Sequence, residues 1–142
     1  MKTTARHQTQ HIIEIILKHL SAVEAVYIFG TWCTVDEGSS SDVDIAVLLC
    51  PREAKTLGPL WGSPLSAALE TALGTAVDLV NLRCVSTVFQ KEIITTGRRV
   101  YCADDNGADE FEMVTLSLYQ KLNAERATIL EEARKNGRLY NI

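Results

Sequence analysis

Between residues 26 and 49 the chain reads VYIFGTWCTVDEGSSSDVDIAVLL, and no other stretch limits so tightly what it can fold into. An apolar run from Val26 to Phe29 stops at Gly30-Thr31. Ten residues of small, polar and acidic character follow, and Asp42-Val43-Asp44 then leads into a second apolar run, Ile45 to Leu49. Short β-rich runs bounded by turn residues predict two buried strands. Residues i and i+2 of a strand share a face, so Asp42 and Asp44 present their carboxylates side by side. Two anions that close repel each other, and burying them without a partner is costly. A divalent cation removes the conflict. Magnesium suits the task because it keeps several waters and takes phosphate oxygens alongside one or two carboxylates.

Gly30 comes straight after the first strand, where a missing Cβ lets a ligand approach the backbone closely. Thr31 adds a hydroxyl, and the N–H groups of such a turn can receive phosphate oxygens. A phosphate-holding turn and a metal-holding carboxylate pair are thus expected at the ends of neighbouring strands.

A chain of 142 residues predicts one domain, residues 1–142, long enough to bury a core. Its formal charge of −4 gives no basic footprint, which argues against a protein that grips long nucleic acid or an anionic membrane by itself. No apolar stretch is long enough to span a bilayer, and the N-terminus, MKTTARHQTQ, is too polar for a signal peptide. A cytoplasmic protein is expected. Cys33, Cys50, Cys84 and Cys102 are scattered with no CxxC pair, and His7, His11 and His19 are confined to the N-terminal region. No zinc spacing appears, and reduced thiols are the expectation. Cys33 lies in the loop, but nothing around it marks a reactive thiol.

Taken in order, helix and strand alternate. Ile12, Ile13, Ile16, Leu17 and Leu20 fall at helical spacing, which predicts an amphipathic helix over 6–21 packed on a sheet. Strands are predicted at 24–29 and 42–49. Pro51 closes the second, and Leu57-Gly58-Pro59 with Gly62-Ser63-Pro64 marks a loop, in which Trp61 reads as a core plug rather than a stacking face. Ser63 as N-cap, Pro64 in the first turn and Gly74 as stop predict a helix over 64–73. A third strand follows at 76–82 with Asp78 inside it. Alone, that Asp reads as the solvent-facing residue of an edge strand; beside Asp42 and Asp44 it reads as a third ligand or a general base. Residues 85–96 predict a helix packed through Val88, Phe89 and Ile93, ended by Gly97. Arg98 to Tyr101 predicts a short last strand and 104–107 a turn. A long helix over 109–136 carries Phe111, Val114, Leu118, Leu122 and Ile129 along one side, with Gly137 as terminator.

These residues carry a resemblance. Gly30-Thr31, ten residues, then Asp42-Val43-Asp44, with Asp78 on a later strand, resembles the nucleotidyltransferase superfamily signature G-S-x10-D-x-D. The short chain and its long C-terminal helix ending in ARKNGRLYNI resemble the minimal nucleotidyltransferases, the antitoxin half of MNT/HEPN toxin–antitoxin pairs. The resemblance implies an α/β (α+β) nucleotidyltransferase fold: a short mixed β-sheet flanked by helices, with a long C-terminal helix. It implies transfer of a nucleoside monophosphate, AMP from ATP, to a tyrosine hydroxyl of a cognate HEPN ribonuclease toxin, with pyrophosphate leaving and the toxin silenced. It also implies roles. Gly30 and Thr31 hold the outgoing phosphates, Asp42 and Asp44 bind two Mg2+ ions, and Asp78 completes the metal site and helps to deprotonate the attacking hydroxyl.

Two departures stand out. Position 31 is Thr where the family pattern has Ser, so the hydroxyl survives with added bulk and a restricted χ1. Relatives commonly carry Arg in the loop after the pair, but residues 32–41 hold none and include Asp36 and Glu37. Triphosphate neutralisation then falls to the metals and to a cation elsewhere, with Arg52, Arg83, Lys91, Arg98 and Arg99 as candidates, each also readable as a surface charge. Ser39 and Ser41 read as parts of a serine-rich turn, with phosphate donation as the alternative. Two other classes of function remain open: a small-molecule nucleotidyltransferase of the antibiotic-modifying type, and a non-catalytic antitoxin acting by binding alone. The first usually carries an added domain for which this chain has no room, and intact Asp42, Asp44 and Asp78 speak against the second. The long C-terminal helix and Leu139-Tyr140 are the expected toxin-binding surface.

Overall fold

The computed structural model describes residues 2–30 and 42–136. In order, its elements are α1 (Lys2–His19), β1 (Val23–Phe29), β2 (Val43–Leu49), α2 (Pro51–Leu57), α3 (Pro64–Leu73), β3 (Val77–Asn81), a 3-10 turn (Leu82–Cys84), α4 (Thr87–Thr96), β4 (Arg98–Cys102) and α5 (Asp105–Lys135). The strands form one sheet in the order β3-β2-β1-β4. β1 runs antiparallel to β2 and β4, whereas β2 and β3 are parallel, so the sheet is mixed, as expected.

Side-chain alternation along the strands sorts the core onto two faces. Val26, Ile28, Ile45, Val47, Val77 and Leu79 meet Ile12 and Ile16 of α1 and Leu65 and Leu69 of α3 on one face. Ala25, Tyr27, Phe29, Ala46, Leu48 and Val80 meet Ile93 of α4 and Ala108 and Phe111 of α5 on the other. With helices on both sides, β1 and β2 read as nearly continuous apolar runs, which is why they are so plain in the sequence.

Local chemistry sets the element ends. The Ser63 hydroxyl accepts from the Ser66 N–H at 3.2 Å, and Gly74 leaves α3 in the left-handed region at φ 69°. The Ser86 hydroxyl caps α4 by accepting from the Phe89 N–H at 3.2 Å. Asp104 does the same for α5, accepting from the Gly107 N–H at 3.0 Å.

Four expectations are corrected. Pro51 does not merely close β2; it occupies the first turn of α2, the helical position where a missing N–H costs nothing. Trp61 is no core plug. It is 78% exposed, on a turn whose Gly62 takes a φ of 73° and leads the chain along the surface. Val88 is exposed, and the buried residues of α4 are Gln90 and Ile93. The Gln90 amide donates to the Leu82 carbonyl at 2.9 Å, which lets a polar residue take the inward position. Residues 104–107 are not a free turn but the cap and first turn of α5, since an Asp at a turn and an Asp at an N-cap accept the same kind of backbone bond. Gly137 and Leu139-Tyr140 lie outside the described residues.

α5 is longer than the sheet is deep. At 31 residues it measures about 46 Å, against roughly 23 Å for a seven-residue strand. It starts beside Glu24, whose carbonyl accepts from the Ala103 N–H at 2.8 Å, and runs in the direction of β1. Along the way Tyr27 donates to Glu112 at 2.6 Å. Only Ala108, Phe111 and Thr115 are buried on it. Val114, Leu118, Leu122 and Ile129, which the spacing sets along one side, are all exposed, Ile129 at 65%.

Candidate active site

Antiparallel pairing of β1 with β2, and parallel pairing of β2 with β3, bring three strand termini to one end of the sheet: the end of β1 at Phe29 and the starts of β2 and β3. There Phe29 stands opposite Asp44, and Asp44 stands in register with Asp78. Residues in register project from the same face, so the Asp44 and Asp78 carboxylates are neighbours on adjacent strands. Asp42 lies just before β2, exposed. The three acids are thus brought to one end, as expected, with Asp78 on an edge strand and open to solvent. Thr31, Ser39, Ser41 and Cys33 lie outside the described residues.

Electrostatics ties the three together. The Asp44 carboxyl is held above the ordinary carboxylate range, first by burial and then by the negative charges of Asp78 and Asp42. Gly30 makes room for it. At φ 74° the glycine occupies the left-handed region, and a Cβ on it would collide with the Asp44 carboxylate. Another residue at position 30 would be strained by the backbone conformation and would have to push the Asp44 carboxylate aside.

Among the described residues no three acidic, histidine or cysteine side chains stand already gathered as a complete metal cage. Magnesium sites are completed by waters and substrate phosphates rather than by protein ligands alone. The donor set, hard oxygens around a carboxyl pushed up by its neighbours, fits such an ion.

The structure sorts the five candidate cations. Arg83 pairs with Glu24 at 2.7 Å, also donates to the Leu49 carbonyl, and stacks over Phe111 at 5.2 Å, all at the opposite end of the sheet. Arg99 is bound to Asp109 at 3.1 Å, and Lys91 lies over the Tyr119 ring at 4.9 Å. Arg52 follows the far end of β2. Arg98 begins β4 opposite Ile28, at the carboxylate end, but in register with the face that packs on α1, not the face that carries Asp44 and Asp78. Sequence alone could not sort these cations, because their surroundings depend on strand direction and face.

A model of the polymerase beta nucleotidyltransferase family matches residues 10–106, a span that contains Gly30, Asp42, Asp44 and Asp78. The chain belongs to that family. It is 34% identical over 126 residues to the protein adenylyltransferase MntA of Shewanella oneidensis, covering 88% of this chain and 86% of that protein. Its fold is similar to a toxin–antitoxin crystal structure with AMP-PNP, at a TM-score of 0.70 and 28% identity over 89% of this chain and 98% of that one. It is also similar to a chain of the complex between a tri-AMPylated Shewanella oneidensis HEPN toxin and an MNT antitoxin, at a TM-score of 0.66 and 29% identity, covering 92% and 98% of the two chains. The nucleotidyltransferase fold is thereby shown. No helix among the described residues is long and apolar enough to cross a membrane.

Proposed function

We propose that this protein is an antitoxin enzyme that transfers AMP from ATP to a tyrosine hydroxyl of a cognate HEPN ribonuclease toxin, and so silences it. The observation that carries the reading is the register of Asp44 with Asp78 beside the glycine-made space at position 30. The relative named as a protein adenylyltransferase and the AMPylated toxin in the similar complex support the choice of reaction and acceptor. AMP-PNP in the other complex supports ATP as substrate.

In this reading the tyrosine oxygen attacks the α-phosphorus, the bond from that phosphorus to the bridging oxygen of the β-phosphate breaks, and pyrophosphate leaves. Such a displacement needs alignment and charge neutralisation more than covalent help. Asp42, Asp44 and Asp78 are the residues that would hold magnesium, with two ions supplying phosphate neutralisation and a lowered hydroxyl pKa. Asp78, open to solvent on the edge strand, would help to accept the proton that the hydroxyl loses. Gly30 and Thr31 would receive the outgoing phosphates, with the metals supplying the neutralising charge. One domain acting in the cytoplasm, where ATP is available and thiols stay reduced, is the setting the reading requires.

The partner needs a surface of its own. α5 runs toward the carboxylate end and, being twice as long as a strand, passes beyond it with Leu118, Leu122 and Ile129 exposed. A protein bound along that stretch would have its acceptor close to the site.

Labelled ATP tests the reaction. With the HEPN partner and magnesium, label in the α-phosphate should enter the partner and label in the γ-phosphate should not. Entry of γ-label would make the protein a kinase, and labelling of neither, with the partner still inhibited, would make it a binding antitoxin.

A further inference from the structure

We infer that Glu70, on the last turn of α3, is a positioning residue for Asp78; the inference rests on the reading of Asp78 as part of the active site. Glu70 bonds to both ends of the connection that leads from α3 into β3. Its main-chain carbonyl accepts from the Gly74 N–H at 2.8 Å, closing the helix. Its side-chain Oε2 accepts from the Val77 N–H at 3.1 Å, opening the strand. Between these bonds only Thr75 and Ala76 remain, and the Ala76 carbonyl is itself taken by the Val43 N–H at 3.1 Å.

The geometry of an edge strand explains why such a brace is needed. Successive peptide groups of a strand point alternately to either side. The Ala76 carbonyl points at β2, so the Val77 N–H points away from it, to the open edge of the sheet, where no strand can receive it. The Glu70 carboxylate fills that place. The residue immediately before Asp78 is therefore held from both sides, by β2 within the sheet and by Glu70 from outside. Without the outer bond the first residue of a five-residue edge strand is free to fray. Asp78 would then lose its register with Asp44, and misplacement by an ångström is enough to cost a site of this kind much of its rate. Glu70 touches neither substrate nor reacting atoms; it acts through Asp78. A glutamate at a helix end gives no such signal in the sequence, because its role appears only once Val77 is seen to be an edge donor.

The test uses the whole protein with its HEPN partner, ATP and magnesium, comparing Glu70→Ala, Glu70→Gln and Asp78→Asn, with rates expressed per folded molecule from melts at the assay temperature. Glu70→Ala should lower kcat about 10-fold and raise the magnesium needed for half-maximal rate, with KM for the partner unchanged, the size seen when groups behind a metal ligand are removed. Glu70→Gln keeps an oxygen acceptor and should return within about 3-fold of the parent. Parent-like kcat and magnesium dependence in Glu70→Ala, or an equal loss in Glu70→Gln, overturns the positioning role while Asp78→Asn remains inactive. Full activity in Asp78→Asn overturns instead the reading of Asp78 on which the role rests.

Discussion

At the scale of single residues, the carboxylate end of the sheet trades stability for chemistry. Asp44 has its pKa raised in the folded state by burial and by its two acidic neighbours. The folded protein therefore binds a proton there more tightly than the unfolded chain does. That contribution to stability is fully present below the ordinary carboxylate pKa and is lost as pH rises through the raised value. In the metal-free protein Asp44→Asn should accordingly raise the melting temperature at neutral pH and flatten its pH dependence, while AMP transfer falls by roughly 100-fold or more; paired melts and rate assays check both. Gly30→Ala should cost about 1–2 kcal/mol in backbone strain alone, before the collision with Asp44, and a denaturant titration would show it. Arg83→Ala should lower the melting temperature by breaking the Glu24 pair, which thermal denaturation would show. The three aspartates and Gly30 were legible in the sequence because the strand period and the turn residues are local signals. What each cation pairs with was not, since Arg83, Lys91, Arg98 and Arg99 differ only in what the fold places beside them.

At the scale of elements, the strands and the longer helices were legible for the same reason, with Ser63 and Gly74 bounding α3 where their chemistry predicts. α2 was missed because Pro51 stops a strand and starts a helix equally well, and seven residues are too few to show a helical period. Trp61 was misplaced because its size argues for burial while the flanking glycines, Gly58 and Gly62, decide its exposure. Trp61→Ala should change stability by no more than about 0.5 kcal/mol, as for other surface positions. Leu69, fully buried between α3 and the sheet, should cost about 2–5 kcal/mol on replacement by Ala. On α5, periodicity correctly predicted a helix but did not say how much of its apolar side packs on the sheet. An apolar stripe states that something covers it, not that the same chain does.

At the scale of the whole molecule, one end of the sheet gathers the acids while the opposite end is tied together by Arg83, Glu24 and Phe111. α5 spans both and continues past the acids. This layout suits an enzyme whose acceptor is brought by a partner protein, as in the similar toxin–antitoxin complexes. Leu122→Lys should leave the fold and its melting temperature intact while weakening partner binding, which calorimetry would measure. The most direct test of the central claim is the intact mass of the HEPN partner after incubation with this protein, ATP and magnesium, run beside the Asp42→Asn/Asp44→Asn double variant. The account predicts a gain of one or more adenylate masses, located on tyrosine and absent with the variant. A partner whose mass never changes, yet which both proteins inhibit equally, would contradict it.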